Sequence, residues 1–530
     1  MRRRCIAWCV GMSMLFGGLS IRLYGLCTGT ELAQAAQDQR VYTIRAGSAR
    51  GTIYDCRGRP LTNGRWRNGT VVTATPAAVT AVQSVLGDDA AAVLAQLKTG
   101  KPVQVADLSL KDVSGAVTFQ LPVRYTDGGI AAHVIGYTDG NGSGVCGIEQ
   151  AYDALLNTYS GSVTVRYRAD AWGRTLTGEP LETDDSIDRC AGGVVLTLDR
   201  DIQQMAEEIA EASLPVGAIV IMDVKNGKIR AMVSTPSFDP NHVEDALTQE
   251  NAPLLNRALC SYNVGSVFKL VSACCAAEQG DTDLTIRCTG TIPYANRLFR
   301  CINGNAHGTV NLSRGIAISC NCYFIQLMDQ IGIQPVYEMA QKMGFGQNIW
   351  LTSNMVSGGT LPALADLSAS AAQANFSFGQ GDLLATPLQV ASMIQAIANN
   401  GQKITPSLVE CTVNAEGVRN AEQEASPERV MSARTAELVR GYMIDAVRSG
   451  TATRAEPESG GAGAKTATAE TGWYQNGKAV IQAWCAGFYP SEEPEYVITV
   501  FAENGRSGSA MCAPVFKQLA DGLAALQSAE

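Results

Sequence analysis

Ser266 and Lys269 stand three residues apart at the front of an apolar run, Val267 to Ala277, that has helical period. Residues at i and i+3 share a helix face, so the amine lies beside the hydroxyl. Asn263-Val264-Gly265 cannot carry a helix far upstream, which puts Ser266 at a helix N-terminus. Free N–H groups and the helix dipole there favour a developing oxyanion. A lysine in an apolar pocket near other cations loses proton affinity and serves as a neutral base. The pair predicts a nucleophilic serine that needs no histidine.

Two further elements follow in order. Ser319-Cys320-Asn321 opens a second apolar run, Cys322 to Leu327, where Ser319 would shuttle a proton between Lys269 and a leaving group and Asn321 would bind a substrate amide. Lys465-Thr466-Ala467 lies on an expected strand: Lys465 would orient a substrate carboxylate and Thr466 would hydrogen-bond it. The backbone N–H of Thr468 would join that of Ser266 as an oxyanion hole. Each element alone has a plain reading, a helix cap with a solvated lysine, a Ser/Asn helix start, a basic edge strand. Their order is what makes chemistry the better account.

These side chains need a scaffold. Val194 to Leu198 reads as a strand, Asp199 starts a helix through Glu211, and Gly217–Asp223 with Lys228–Val233 form a hairpin around Asn226-Gly227. Helical patterns follow near 264–279, 313–332 and 386–400, and two strands near 479–488 and 495–503 flank Pro490 to Pro494. Strands at both ends with helices between predict an α+β domain, one antiparallel sheet with helices packed on it. Upstream, Glu31 to Ala49 is expected to begin as a helical stalk, and Thr52-Ile53-Tyr54 before Asp55-Cys56-Arg57-Gly58 reads as a strand entering a tight turn. Residues 70 to 190 mix short elements and show no titratable cluster, which suits a structural module. The expected division is 1–27, 28–190 and 191–526.

The compartment is written in the first thirty residues. Arg2, Arg3 and Arg4 precede an uncharged stretch from Cys5 to Ile21, and a short apolar patch, Leu23 to Cys27, follows Arg22. Such a stretch predicts a membrane anchor at the short edge of a span, with its basic end in the cytoplasm and the rest outside. A cleaved signal peptide would use Ala33-Gln34-Ala35, which lies well past the apolar stretch, and Leu26 before Cys27 is too large for a lipoprotein signal. The net charge of −9 argues against nucleic acid. Three histidines (His133, His242 and His307), none paired at ligand spacing, predict no metal site, and no cofactor is expected. Thirteen of the sixteen cysteines lie beyond Cys27. Cys274-Cys275 and Cys320/Cys322 read as small buried hydrophobes, and Cys288 and Cys301, flanking a short loop, are the disulfide candidates.

The three elements match the Ser-x-x-Lys, Ser-x-Asn, Lys-Thr-Gly triplet of penicillin-interacting serine enzymes. Asn256-Arg257-Ala258 before Gly265-Ser266, Ser319 to Phe324, Phe378-Gly379-Gln380-Gly381 and Thr386-Pro387-Leu388-Gln389 resemble segments of the class B penicillin-binding proteins. Arg50-Gly51 with Asp55 and Gly58, and Ser143-Gly144 with Gly147-Ile148-Glu149, resemble their pedestal domain, so the resemblance spans roughly residues 45 to 520. It implies a transpeptidase fold behind a dimerisation-like pedestal and a single transmembrane helix. It implies acyl transfer from the D-alanyl-D-alanine end of a peptidoglycan stem peptide, inhibition by β-lactams, and a polytopic glycan polymerase as membrane partner.

Two departures stand out. Val264 replaces a usual proline, and Ala467 replaces glycine, where a methyl is expected to change β-lactam affinity. The second keeps an alternative in view, a catalytically silent scaffold that activates the polymerase. A β-lactamase would lack the roughly 160 exported residues ahead of the catalytic domain, and a β-lactam sensor would need further membrane spans or an output domain.

Overall fold

The structure is a computed structural model that describes residues 1–28, 40–126, 128–176, 178–421, 424–475 and 477–529. It forms two compact units, one from Met1–Arg50, Arg65–Val123 and Ser160–Cys190, the other from Gly51–Gly64, Arg124–Tyr159 and Ala191–Glu530.

In the first unit, helix α1 (Arg2–Thr28) runs through Arg22 without a break. At about 1.5 Å per residue it is about 40 Å long, and it is long and apolar enough to cross a membrane. Pro76–Leu97 meets the same test of length and composition. It is interrupted by the turn Gly87–Asp89 and buries Ala78, Val82, Ala90 and Leu97 in a local core. The helical stalk expected over Glu31 to Ala49 is corrected in part. Residues 29–39, including Ala33-Gln34-Ala35, lie outside the described residues, and Val41–Ala49 is a strand paired with Gly161–Arg168.

The second unit is built on a five-stranded antiparallel sheet. Its strands are β1 (Gly217–Asp223), β2 (Ile229–Thr235), β3 (Gly463–Gln475), β4 (Lys478–Tyr489) and β5 (Tyr496–Ala502), in the order β2-β1-β5-β4-β3. Successive side chains point to opposite faces, and here both faces are apolar. Ala218, Val220 and Met222 enter one core, while Ile219 and Ile221 enter another with α2 (Arg200–Ser213) and the C-terminal helix Ala513–Ala529. Helices therefore cover both sides of the sheet. Against the first face lies α5 (Pro387–Ala398), and α3 (Lys269–Gln279) and α4 (Asn321–Ile331) belong to the same core.

Helix α5 is buried along its whole length, apolar but for the stripe Gln389, Ser392 and Gln395. Thr386 and Gln389 close a reciprocal capping box with Pro387 in the first turn. Its buried amides are satisfied: Gln395 Nε2 donates to Val224 O at 2.7 Å and Gln389 Nε2 to Gln347 O at 2.8 Å.

The single helix expected near 313–332 is two helices, Leu312–Ala317 and α4, broken at Ser319. Likewise Ser266 sits in a 3-10 turn, Gly265–Phe268, ahead of α3. Thr52–Tyr54, expected in the upstream module, pairs parallel with Gly193–Leu196 inside the second unit.

Candidate active site

Four elements of the second unit meet around the segment 265–269 that carries Ser266 and Lys269. The turn carrying it starts at Gly265, whose φ of +60° is left-handed. Gly265 N donates to Gly379 O at 2.9 Å, and a Cβ built on Gly379 would lie 2.1 Å from Gly265 O. The Gly-Gln-Gly segment is thus glycine at 379 because backbone rests directly on backbone. Val264 has φ −74°, within the range a proline ring would impose, so the missing proline does not redirect the chain. The strand before it is pinned to β4: Trp484 Nε1 donates to Asn263 O at 2.9 Å and Asn263 N donates to Gln482 Oε1 at 2.6 Å.

Lys269 opens α3 and is fully buried. Its Nζ donates to Ser319 O at 2.8 Å, Asn321 Oδ1 at 2.7 Å and Ser319 Oγ at 3.1 Å, with the Phe324 ring centroid 5.5 Å away. Burial pushes its pKa down to about 7.

Ser319 ends one helix and precedes the next, at φ +57°, a left-handed conformation that serine rarely adopts. Cys320 N donates to Gly315 O at 3.0 Å, closing that helix end, and Asn321 begins α4. The corner aims the Ser319 hydroxyl at two amines, because Lys465 Nζ also reaches it, at 3.0 Å. Lys465 is fully buried on β3, and burial first, then the neighbouring positive Lys269, hold its pKa well below the usual lysine range. A hydroxyl accepts from one amine and donates to another, so this chain can carry a proton.

The remaining predicted residues are close by with partners of their own. Asn321 Nδ2 donates to Arg300 O at 2.9 Å, so a substrate amide would have to displace a protein carbonyl, a feature the motif did not announce. Thr466 Oγ1 donates to Thr451 Oγ1 at 2.9 Å, and Thr468 Oγ1 accepts from Gly508 N at 3.3 Å. β3 is the edge of the sheet, so it presents a row of backbone groups away from β4. Ser266 is 9% exposed, against 0% for both lysines, so the expected nucleophile is more exposed than either amine. Ala467 is 3% exposed, and its Cβ would lie 3.4 Å from a Cβ built on Gly265. Its methyl packs behind the Ser266 turn.

Sequence reasoning also missed a cluster behind the Ser319 corner. Cys288, Cys301, His307 and Cys320 each bring a donor atom within 4.8 Å of the others. Cys288 and Cys301, the disulfide candidates, have their sulfurs 3.8 Å apart and are not bonded to each other. The signal was present in the run of cysteines around His307, but it was sought only as paired histidines.

Residues 217–521 match the penicillin binding protein transpeptidase domain. The chain is similar to penicillin-binding protein PbpB of Mycolicibacterium smegmatis, 30% identical over 473 residues, covering 82% of this chain and 71% of that one. It is 29% identical over 458 residues to the peptidoglycan D,D-transpeptidase MrdA of Acinetobacter baumannii, covering 75% and 66%. Its fold is similar to that of penicillin-binding protein 3 from Mycobacterium tuberculosis complexed with aztreonam, with TM-score 0.65, 25% identity, and 92% of this chain and 97% of that chain covered.

Proposed function

The chain belongs to the penicillin-binding protein transpeptidase family, and from that premise we propose that it is a peptidoglycan D,D-transpeptidase cross-linking stem peptides through an acyl-serine intermediate. The observation that carries the reading is the Ser319 hydroxyl held between Lys269 and Lys465, at 3.1 and 3.0 Å, with Lys269 three residues after Ser266.

In this reading Ser266 Oγ attacks the carbonyl of the penultimate D-alanine while Lys269 takes its proton. A lysine with a pKa near 7 is neutral in a large fraction of molecules at physiological pH and can act as that base. The N–H groups of Ser266 and Thr468 receive the oxyanion. The proton returns through Ser319 to the departing amine, and terminal D-alanine leaves. Lys465 and Thr466 hold its carboxylate, and Asn321 holds the peptide amide once Arg300 O is displaced. A second stem's amine then attacks the acyl-serine, and the cross-link forms. A β-lactam would acylate the same serine and remain.

α1 would anchor the chain with Arg2 to Arg4 on the cytoplasmic side, residues 28–190 would form the pedestal, and 191–526 the transpeptidase domain. Anchor and pedestal together would meet a polytopic glycan polymerase, during elongation, division or sporulation. The silent-scaffold reading rests on Ala467. Against it, that methyl lies 3.4 Å from a Cβ built on Gly265, against the Ser266 turn, and Ala467 is 3% exposed.

The test is labelling of the purified chain with a fluorescent penicillin. Covalent label on the wild type that disappears in a folded Ser266→Ala variant is the expected result. A folded wild type that takes no label, and turns over no stem peptide, would leave the scaffold reading in its place.

A further inference from the structure

Cys301 Sγ lies 3.8 Å from Cys288 Sγ and 3.8 Å from Cys320 Sγ, and Cys288 Sγ lies 3.5 Å from His307 Nδ1. A tetrahedral zinc ion with bonds of about 2.3 Å to sulfur and about 2.0 Å to nitrogen has ligand edges of about 3.8 Å between sulfurs and about 3.5 Å between sulfur and nitrogen. Three edges of the cluster have these lengths. We propose that Cys288, Cys301, His307 through Nδ1, and Cys320 bind one structural zinc ion.

The donor set is that of a closed, four-coordinate protein site, three thiolates and one imidazole, with no open position for substrate. The cysteines are 3%, 2% and 0% exposed, while His307 is partly exposed. Gly290 N donates to Cys288 Sγ at 3.4 Å, the backbone support that a metal-bound thiolate receives. Cys322 Sγ lies 3.5 Å from Cys301 Sγ but is not among the four mutually converging donors. It stands outside the coordination sphere.

The ligands come from four places along the chain. Cys288 ends the strand Ile286–Cys288, which pairs with Gly308–Val310 next to His307, and Cys301 follows the hairpin strand Arg297–Arg300. Cys320 lies between Ser319 and Asn321. The ion would thus fix Asn321 from both sides, through the Cys320 backbone and through Arg300 O, the acceptor for its side chain one residue before Cys301. It would also hold Ser319 in its left-handed conformation. This makes the ion a positioning element for the corner. Metal binding stands without the transpeptidase reading, and only its effect on acylation rests on it.

The experiment is metal analysis of the reduced full chain in detergent, purified from zinc-replete cells, with cobalt(II) substitution as the spectroscopic readout. Expected are one zinc per chain, tetrahedral cobalt absorption with thiolate charge-transfer bands, loss of both in His307→Ala, retention in His307→Cys with altered bands, and no change in Cys322→Ser. Removing the ion from the wild type with a chelator should lower Tm and slow penicillin labelling, and zinc should restore both. A folded, reduced wild type that carries no zinc above background and binds no cobalt overturns the proposal, whatever the variants do. So does undiminished zinc in a folded His307→Ala. Stoichiometric zinc in a chain that takes no penicillin label would uphold the metal site and count against the transpeptidase reading alone.

Discussion

The second unit buries charge in two opposite ways. Around Asp55, which is fully buried, acids and bases alternate: Arg59 Nε pairs with Asp55 at 2.7 Å, Arg57 with Asp199 at 2.8 Å, and Arg59 with Asp201 at 2.7 Å. Asp55 Oδ1 also accepts from the backbone of Arg57 and Arg59. Around Ser319 two lysines are fully buried, and among the described residues neither forms an ion pair with a carboxylate. The first arrangement satisfies each charge and holds a turn in shape. The second leaves two amines short of compensation, so each is driven toward its neutral form and becomes able to move protons.

The contrast is most directly broken at Lys269. Lys269→Met should slow penicillin acylation about 10²–10⁴-fold, the range for loss of a general base, with Tm unchanged or raised. A stopped-flow acylation rate beside a thermal melt checks it, and a large loss of Tm with the rate intact would reverse the assignment. Asp55→Ala should do the opposite. It leaves Arg59 and three backbone donors, those of Arg57, Arg59 and Arg200, facing an emptied site and should cost about 3 kcal/mol of stability, as for breaking a buried pair, with the acylation rate per folded molecule unchanged. Denaturant unfolding monitored alongside labelling separates the two quantities.

A third charge, half-buried, sharpens the comparison. Glu207 accepts hydrogen bonds from Ala131 N at 2.7 Å and Gln203 Nε2 at 2.8 Å, and burial pushes its pKa up to about 7. Between the ordinary value of 4.5 and about 7 the folded chain keeps a proton that the unfolded chain has lost. The stabilisation is complete below that window and gone above it. Glu207→Gln should therefore add about 1–2 kcal/mol at pH 8 and almost nothing at pH 4, visible as a Tm difference that opens with rising pH. The smallest effect is expected at Ala467. Ala467→Gly should change penicillin acylation less than about tenfold, since one methyl is worth about 1 kcal/mol. A larger gain would mean that the methyl does obstruct the cleft.

Local signals were legible and long-range closures were not. The Asn226-Gly227 hairpin and the Thr386-Pro387 helix start are written within a few residues and stand where their patterns imply, while the Ser-x-x-Lys spacing puts Lys269 at the start of α3 with its amine on Ser319 and Asn321. The break at Ser319 was hidden because apolar residues continue on both sides of it. Thr52–Tyr54 joined the second unit because its partner strand, Gly193–Leu196, is far along the chain and no periodicity announces a parallel pairing. The cysteines behind the corner were separated for the same reason: Cys320 reads as a buried hydrophobe and Cys288 with Cys301 as a disulfide pair, and only the tertiary fold turns four sulfur and nitrogen atoms toward one point.

The left-handed Ser319 places competing demands on the sequence. Glycine would adopt that conformation at no steric cost, so a lineage selected for thermal stability alone would drift toward glycine at this position. Serine persists there only while a hydroxyl between the two lysines is worth more to the cell than the strain of holding it. In the proposed mechanism the residue at this position therefore records whether a descendant still depends on the reaction.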